Sequence, residues 1–226
     1  MLLAVLLALS ATVQPGFSEL GDSGCFICKT INWEFLGKLY SYEIKMPCDD
    51  LLRLHDFYAQ RSRTADYKAY IEDQGTAQLW GVLYHLYGVL NYLQSEARKQ
   101  KLDYKAKIEF FATFVQNVKY VSDPRGHEIR KFPLETLLLG GDCEDKSILL
   151  AWLLKQAGFR VALLEFDDHV AVGVNLPSEP FFAYEAWYFL YAGRKYYYME
   201  ATSPGWRLGQ VPKKYQGKTA RIYLLN

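Results

Sequence analysis

The stretch from Phe132 to Gly158, FPLETLLLGGDCEDKSILLAWLLKQAG, constrains the fold of this chain more than any other. From Ile148 to Leu154 every residue is apolar. A helix that is apolar nearly all round has no face to offer solvent, so it is a core helix. Gly140 and Gly141 break whatever precedes it, Asp142 can cap its free amides, and Gly158 supplies a left-handed stop. The same pattern puts Cys143 in the first turn. A thiol there feels the positive end of the helix dipole, which favours the nucleophilic thiolate. The adjacent carboxylates Glu144 and Asp145 oppose that effect, so activation calls for a base from elsewhere in the chain.

With 226 residues, half of them apolar, the chain can bury a sizeable core and fits one domain or one and a half. Its formal net charge is +1 with the signs mixed along its length, which asks for no nucleic acid and no acidic partner. The 18 Tyr, 13 Phe and 5 Trp read first as packing and second as an aromatic cleft for an extended polymer.

Residues 2–13, LLAVLLALSATV, are too short to span a bilayer, for which about 20 residues are needed. They match a secretory apolar region with cleavage after Ser18, although no Lys or Arg precedes them. The expectation is a secreted or cell-envelope protein. The alternatives are membrane association through this segment alone, or a cytoplasmic chain if the segment is not a signal.

Of the four cysteines, Cys25, Cys28 and Cys48 lie close in sequence. Under export, a disulfide among these three leaves one spare thiol and Cys143 free. Cys25-x-x-Cys28 with only Cys48 nearby falls short of the four ligands that zinc wants, and no acidic calcium loop of recognisable spacing occurs. No metal and no cofactor is expected.

Along the chain, Trp33–Met46 alternates as one half-buried strand ended by Pro47. Helices follow at about 49–59, 61–74, 77–99 (seam Leu79, Val82, Leu86, Val89, Leu93) and 104–120 (Ile108, Phe111, Val115, Val118). His85 lies off its seam and His127 in a polar loop, which makes both bystanders. After Gly158 the period changes from 3.6 to 2: strand 159–166, a turn at Asp167-Asp168, then strand 169–174. Ala171 and Gly173 share the face of His169, which suggests room beside the imidazole. Asn175–Glu185 reads as a loop over the site, 187–191 and 195–201 as a hairpin, and Arg221–Leu225 as an edge strand.

The fold class is therefore α+β: a helical N-terminal part, then a buried helix with Cys143 at its N-terminus, packed on an antiparallel sheet carrying His169 and Glu200. The organisation reads as a leader over 1–18, a strand-plus-helix part over 19–100 and a catalytic core over 101–226. Thiol acyl transfer needs a sulfur, an imidazole to take its proton and an acceptor that holds the imidazole in one tautomer. Cys143, His169 and Glu200 occur in an order that could supply them, with Asp167 and Asp168 as rival orienters.

At these residues the chain resembles the transglutaminase-like branch of the papain-type cysteine enzymes. The matching text is Pro133-Leu134-Glu135-Thr136-Leu137 leading to Gly141-Asp142-Cys143-Glu144-Asp145, then Asp168–Val174, then Tyr198-Met199-Glu200-Ala201-Thr202; Phe114-Val115-Gln116, with Tyr120 and Asp123 behind it, looks like the family's lead-in helix. The likeness covers about 104–204. It implies Cys143 as nucleophile, His169 as general base and later acid, Glu200 as orienter in a place where many members carry Asp, and Gln116 as a side-chain donor to the oxyanion. It also implies a protein or peptide substrate, with hydrolysis weakly preferred over cross-linking and a non-catalytic binding module as a further alternative. Trp206 is a candidate cleft wall.

Overall fold

A β-hairpin opens the described chain. The computed structural model describes residues 24–59, 66–71, 80–124 and 129–225; the apolar segment 2–13 and His127 lie outside them. Strands β1 (Phe26–Phe35) and β2 (Lys38–Pro47) pair antiparallel around Leu36 and Gly37, whose φ angles are 50° and 76°. Two successive positive φ values make a tight turn that matches strand twist. The single strand expected over Trp33–Met46 is thus two strands, because Leu-Gly carries the reversal without the usual Asn-Gly or Asp-Gly signal. The alternation itself holds: Tyr40, Ile44 and Met46 are buried, while Leu39, Ser41, Glu43 and Lys45 are exposed.

A Cys25–Cys48 disulfide ties the start of β1 to the start of α1 (Cys48–Ala59), and Cys28 is left free and exposed. Of the helix expected over 61–74, the described residues show α2 (Tyr67–Ile71), with Tyr67, Tyr70 and Ile71 buried. Helix α3 (Trp80–Lys99) buries Leu86, Val89 and Leu93 from its seam; Leu79 and the side chain of Val82 lie outside what is described. His85 Nε2 lies 3.8 Å from Asp50 Oδ2.

Helix α4 starts at an Asp103 cap, whose carboxylate accepts from Ala106 N at 2.7 Å, and runs Tyr104–Gln116. It stops short of the expected 120 because Asn117 turns the chain into an extended segment that bridges α5 (Pro133–Leu139) and α6 (Cys143–Gln156). In that bridge Gly141 N donates to Lys119 O at 3.2 Å and Val121 N to Gly141 O at 3.0 Å. Gly140, at φ 80°, is required here: a Cβ would come to 2.6 Å from the Lys119 carbonyl oxygen. The double glycine therefore admits a neighbouring strand beside the approach to Cys143.

All seven residues of α6 from Ile148 to Leu154 are fully buried, each aliphatic side chain contributing roughly 1.5–3 kcal/mol. Helix α6 lies on a five-stranded sheet built from β3 (Arg160–Phe166), β4 (His169–Asn175), β5 (Tyr188–Tyr191), β6 (Arg194–Met199) and β7 (Arg221–Leu225). The order is β5-β6-β4-β3-β7 with every neighbouring pair antiparallel. Val161, Leu163, Val170, Val172, Val174 and Met199 join α6 in the main core, which extends to Trp33 and Ile31 of the hairpin. On the sheet's other face Leu164, Phe166, Ala171, Tyr198, Val211 and Tyr215 form a second, smaller cluster. The fold is α+β. No described helix is long and apolar enough to cross a membrane.

Two expectations about β4 are corrected. The face of Ala171 and Gly173 is filled, not open: Ala171 is fully buried, and a Cβ on Gly173 would lie 3.1 Å from Tyr196 Cβ and 3.2 Å from Leu164 Cδ2. The small residues serve packing. The loop after Asn175 leaves from the end of β4 opposite His169, roughly 20 Å away at a strand's rise, and turns over Tyr197 through Phe182. Only its end, Tyr184 and Glu185, reaches a cleft near the candidate site.

Candidate active site

The first turn of α6 is fixed by reciprocal capping. Asp142 Oδ1 accepts from Glu144 N at 3.0 Å and Asp145 N at 3.2 Å, and Asp142 N donates back to Asp145 Oδ2 at 3.3 Å. These bonds take the second and third amides of the helix and not that of Cys143. The thiol is half-buried and free. Both flanking carboxylates are neutralised by partners of their own. Glu144 accepts from Tyr67 Oη at 2.7 Å and pairs with Arg130 Nε at 2.8 Å, while Asp145 pairs with Lys131 Nζ at 2.6 Å. Burial pushes Asp145 up to about 6 against the pull of Lys131.

His169, at the start of β4, faces the thiol closely enough to hydrogen-bond it. Its Nε2 lies 2.9 Å from Glu200 Oε2, which leaves Nδ1 as the nitrogen available to sulfur. Burial alone would lower its pKa, but the bonds to Cys143 and Glu200 outweigh it, and the imidazole is raised to about 9. Tyr215 stacks on the ring at 5.0 Å and 11° and covers one of its faces. Asp168 turns away to the Lys214 ammonium, and His169 takes its carboxylate from Glu200 instead.

Glu200 follows directly on β6 and is 2 % exposed. Oε2 takes His169 and, at 2.7 Å, Tyr198 Oη; Oε1 takes Ala201 N and Thr202 N at 3.0 Å and Thr202 Oγ1 at 2.8 Å. Burial favours the neutral acid, yet these donors hold the carboxyl down at about 2. The extra methylene relative to Asp is thus accommodated with both oxygens satisfied.

Gln116 is buried at the end of α4. Its Nε2 donates to Glu200 O at 2.9 Å and to Trp206 O at 3.1 Å, so both amide protons are committed to backbone carbonyls. Among the described residues its Oε1 has no hydrogen-bond partner. As placed, Gln116 ties the Glu200 turn to the Trp206 loop; donating to an oxyanion would require release of one of these bonds. Trp206 lines a cleft of ≈ 620 Å³ with Tyr184 and Trp187.

Lys146, one turn after Cys143, is fully buried. Its ammonium donates to the carbonyls of Gln116 (3.1 Å), Val118 (2.8 Å) and Thr202 (2.6 Å). Burial lowers it to about 8, with Glu200 opposing. One cation thus pins the helix that carries Cys143 to the end of α4 and to the turn after Glu200. Reading the sequence missed it because a lysine in an apolar helix looks like a solvent-facing residue. Tyr215 was missed as well, and Tyr120 was put forward only as part of the lead-in likeness. Tyr120, raised by burial and then by the nearby Cys143, follows the α4 stop, and Tyr215 sits in a short 3₁₀ turn, Lys213–Tyr215, with no period to mark it.

Among the described residues, the carboxylates of Asp123, Asp142 and Asp145 converge within 4.8 Å. Lys131 already supplies their cation, at 2.6 Å from Asp145 and 3.5 Å from Asp123. No protein-family model, no curated protein and no solved structure matches the chain.

Proposed function

We propose that this protein is a thiol acyl-transfer enzyme of the transglutaminase-like type, acting as a hydrolase on a peptide or side-chain amide. The observation that carries the reading is His169, bonded to the Cys143 thiol on one side and to Glu200 on the other. The Cys143 sulfur attacks the carbonyl carbon of the amide. As the C–N bond breaks, imidazolium donates its proton to the leaving amine and a thioester forms. Water, deprotonated by the now neutral imidazole, attacks the thioester carbon, the C–S bond breaks, and the thiol is regenerated with release of a carboxylic acid. Glu200 stays ionised and holds the ring throughout. The Cys143 amide, left free by the Asp142 cap, is suited to receive the oxyanion.

The same thioester could instead pass its acyl group to an amine. Incubating the protein with a glutamine-containing peptide and a labelled primary amine separates the outcomes. Release of acid or ammonia without label supports hydrolysis; incorporated label establishes a transglutaminase instead. A second reading, a binding module without turnover, draws on the committed protons of Gln116. It predicts that Cys143→Ala leaves the biological effect intact.

A further inference from the structure

The cleft beside Trp206 has no role in the steps above. Its walls include Tyr184, Trp187, Trp206, Gln210 and Gln216, and Glu185 is the one charged residue among those lining it. It adjoins the imidazole side of the centre. Gln216 follows Tyr215, which stacks on His169, and the Trp206 carbonyl shares Gln116 with the carbonyl of Glu200. Its backbone is laced to the Glu200 strand: Tyr198 N donates to Trp187 O at 3.1 Å, Trp187 N to Gly209 O at 2.8 Å, and Gly209 N to Tyr198 O at 2.7 Å. The opposite end of the sheet bears a contrasting cleft, lined by Lys107, Arg160, Arg194 and Lys195 against a single carboxylate, Glu179. A chain of net charge +1 thus lines the cleft beside Trp206 without a cation.

The geometry points to this cleft as the subsite for the amine side of the substrate, taking a positively charged, lysine-like side chain. The orientation rests on the acyl-transfer reading. His169 hands its proton to the leaving amine, so that half of the substrate departs past the imidazole, towards Tyr215 and the Trp206 loop. The charge preference rests on the lining: the indoles of Trp187 and Trp206 can attract a cation, the apolar stem of a lysine lies along them, and Glu185 completes the pairing, whereas Tyr184 already has the Lys105 ammonium 5.6 Å from its ring centroid. Gln210 and Gln216 offer amide hydrogen bonds to a passing backbone.

The test uses the full chain carrying Cys143→Ala, titrated with two blocked tripeptides that differ only in a central lysine or norleucine and followed by tryptophan fluorescence. The lysine peptide binds about five- to tenfold tighter, and adding Glu185→Gln cuts the difference to about twofold, the share left to the rings, while leaving norleucine binding unchanged. Equal binding of the two peptides, no binding of either, or a lysine preference that Glu185→Gln leaves undiminished overturns the proposal. This assay needs no turnover, so it fails separately from the acyl-transfer reading. With the wild-type thiol, lysine just after the scissile amide lowers KM, and lysine just before it does not. The reverse pattern overturns the orientation.

Discussion

Tyr198 and His169 meet on one oxygen of Glu200, at 2.7 and 2.9 Å. A buried carboxylate oxygen that takes both donors fixes the imidazole and shields the pair from water. Glu200→Gln removes the charge that stabilises imidazolium and is expected to lower kcat/KM by at least about 10²-fold. Tyr198→Phe removes one charge-assisted bond and lowers it by about tenfold. Steady-state kinetics on one amide substrate ranks the two; an equal loss would contradict the assigned roles.

The pair sets a pH window. Against burial, His169 is raised to about 9 and Glu200 lowered to about 2. The raised imidazole contributes stability that is full below its ordinary 6.5 and lost as pH rises through about 9. The lowered carboxyl contributes stability that is full above its ordinary 4.5 and lost as pH falls through about 2. The difference in Tm between the wild type and His169→Ala is therefore greatest between those ordinary values and shrinks towards alkaline pH. Activity falls above pH of about 9, where the proton donor is lost. Cys143→Ala moves the imidazole titration downwards, a shift that NMR of the ring protons reads.

Lys146→Met leaves three backbone carbonyls facing an apolar side chain. Orphaned buried acceptors cost roughly 1–3 kcal/mol each, so a loss of at least about 2 kcal/mol, or roughly 4–8 °C in Tm, is expected. Thermal unfolding checks it.

Asp142→Ala removes the cap on Glu144 N and Asp145 N and lowers stability by about 1 kcal/mol. Asp142→Ser retains most of that stability because a hydroxyl can accept the same bonds. Denaturant unfolding distinguishes the two.

How much was legible in advance varied with how local the physics is. The start and stop of α6, the strand pair after Gly158 and the alternation of Tyr40, Ile44 and Met46 follow from periods and caps, and they were readable. The turn at Leu36-Gly37 was not, because its residues carry no strong turn signal. The closeness of His169 to Cys143 and Glu200 depends on sheet order, which no local pattern encodes; a motif likeness put these residues forward. Lys146 and the second bonds of Gln116 depend on three segments meeting, and only coordinates reveal such a meeting. The packing behind Gly173 misled in the same way, since a small residue looks like open space until its neighbours are known.

The central claim is that Cys143 is reactive because His169 activates it. Cys28, free and exposed, is an internal control. The most direct measurement is the rate of iodoacetamide alkylation of each thiol at about pH 6, where an ordinary thiol is almost wholly protonated. Resolved by peptide mass spectrometry, Cys143 is expected to react at least about tenfold faster than Cys28, and His169→Ala is expected to remove the advantage. Faster alkylation of Cys28, or a Cys143 rate indifferent to His169→Ala, would contradict the account.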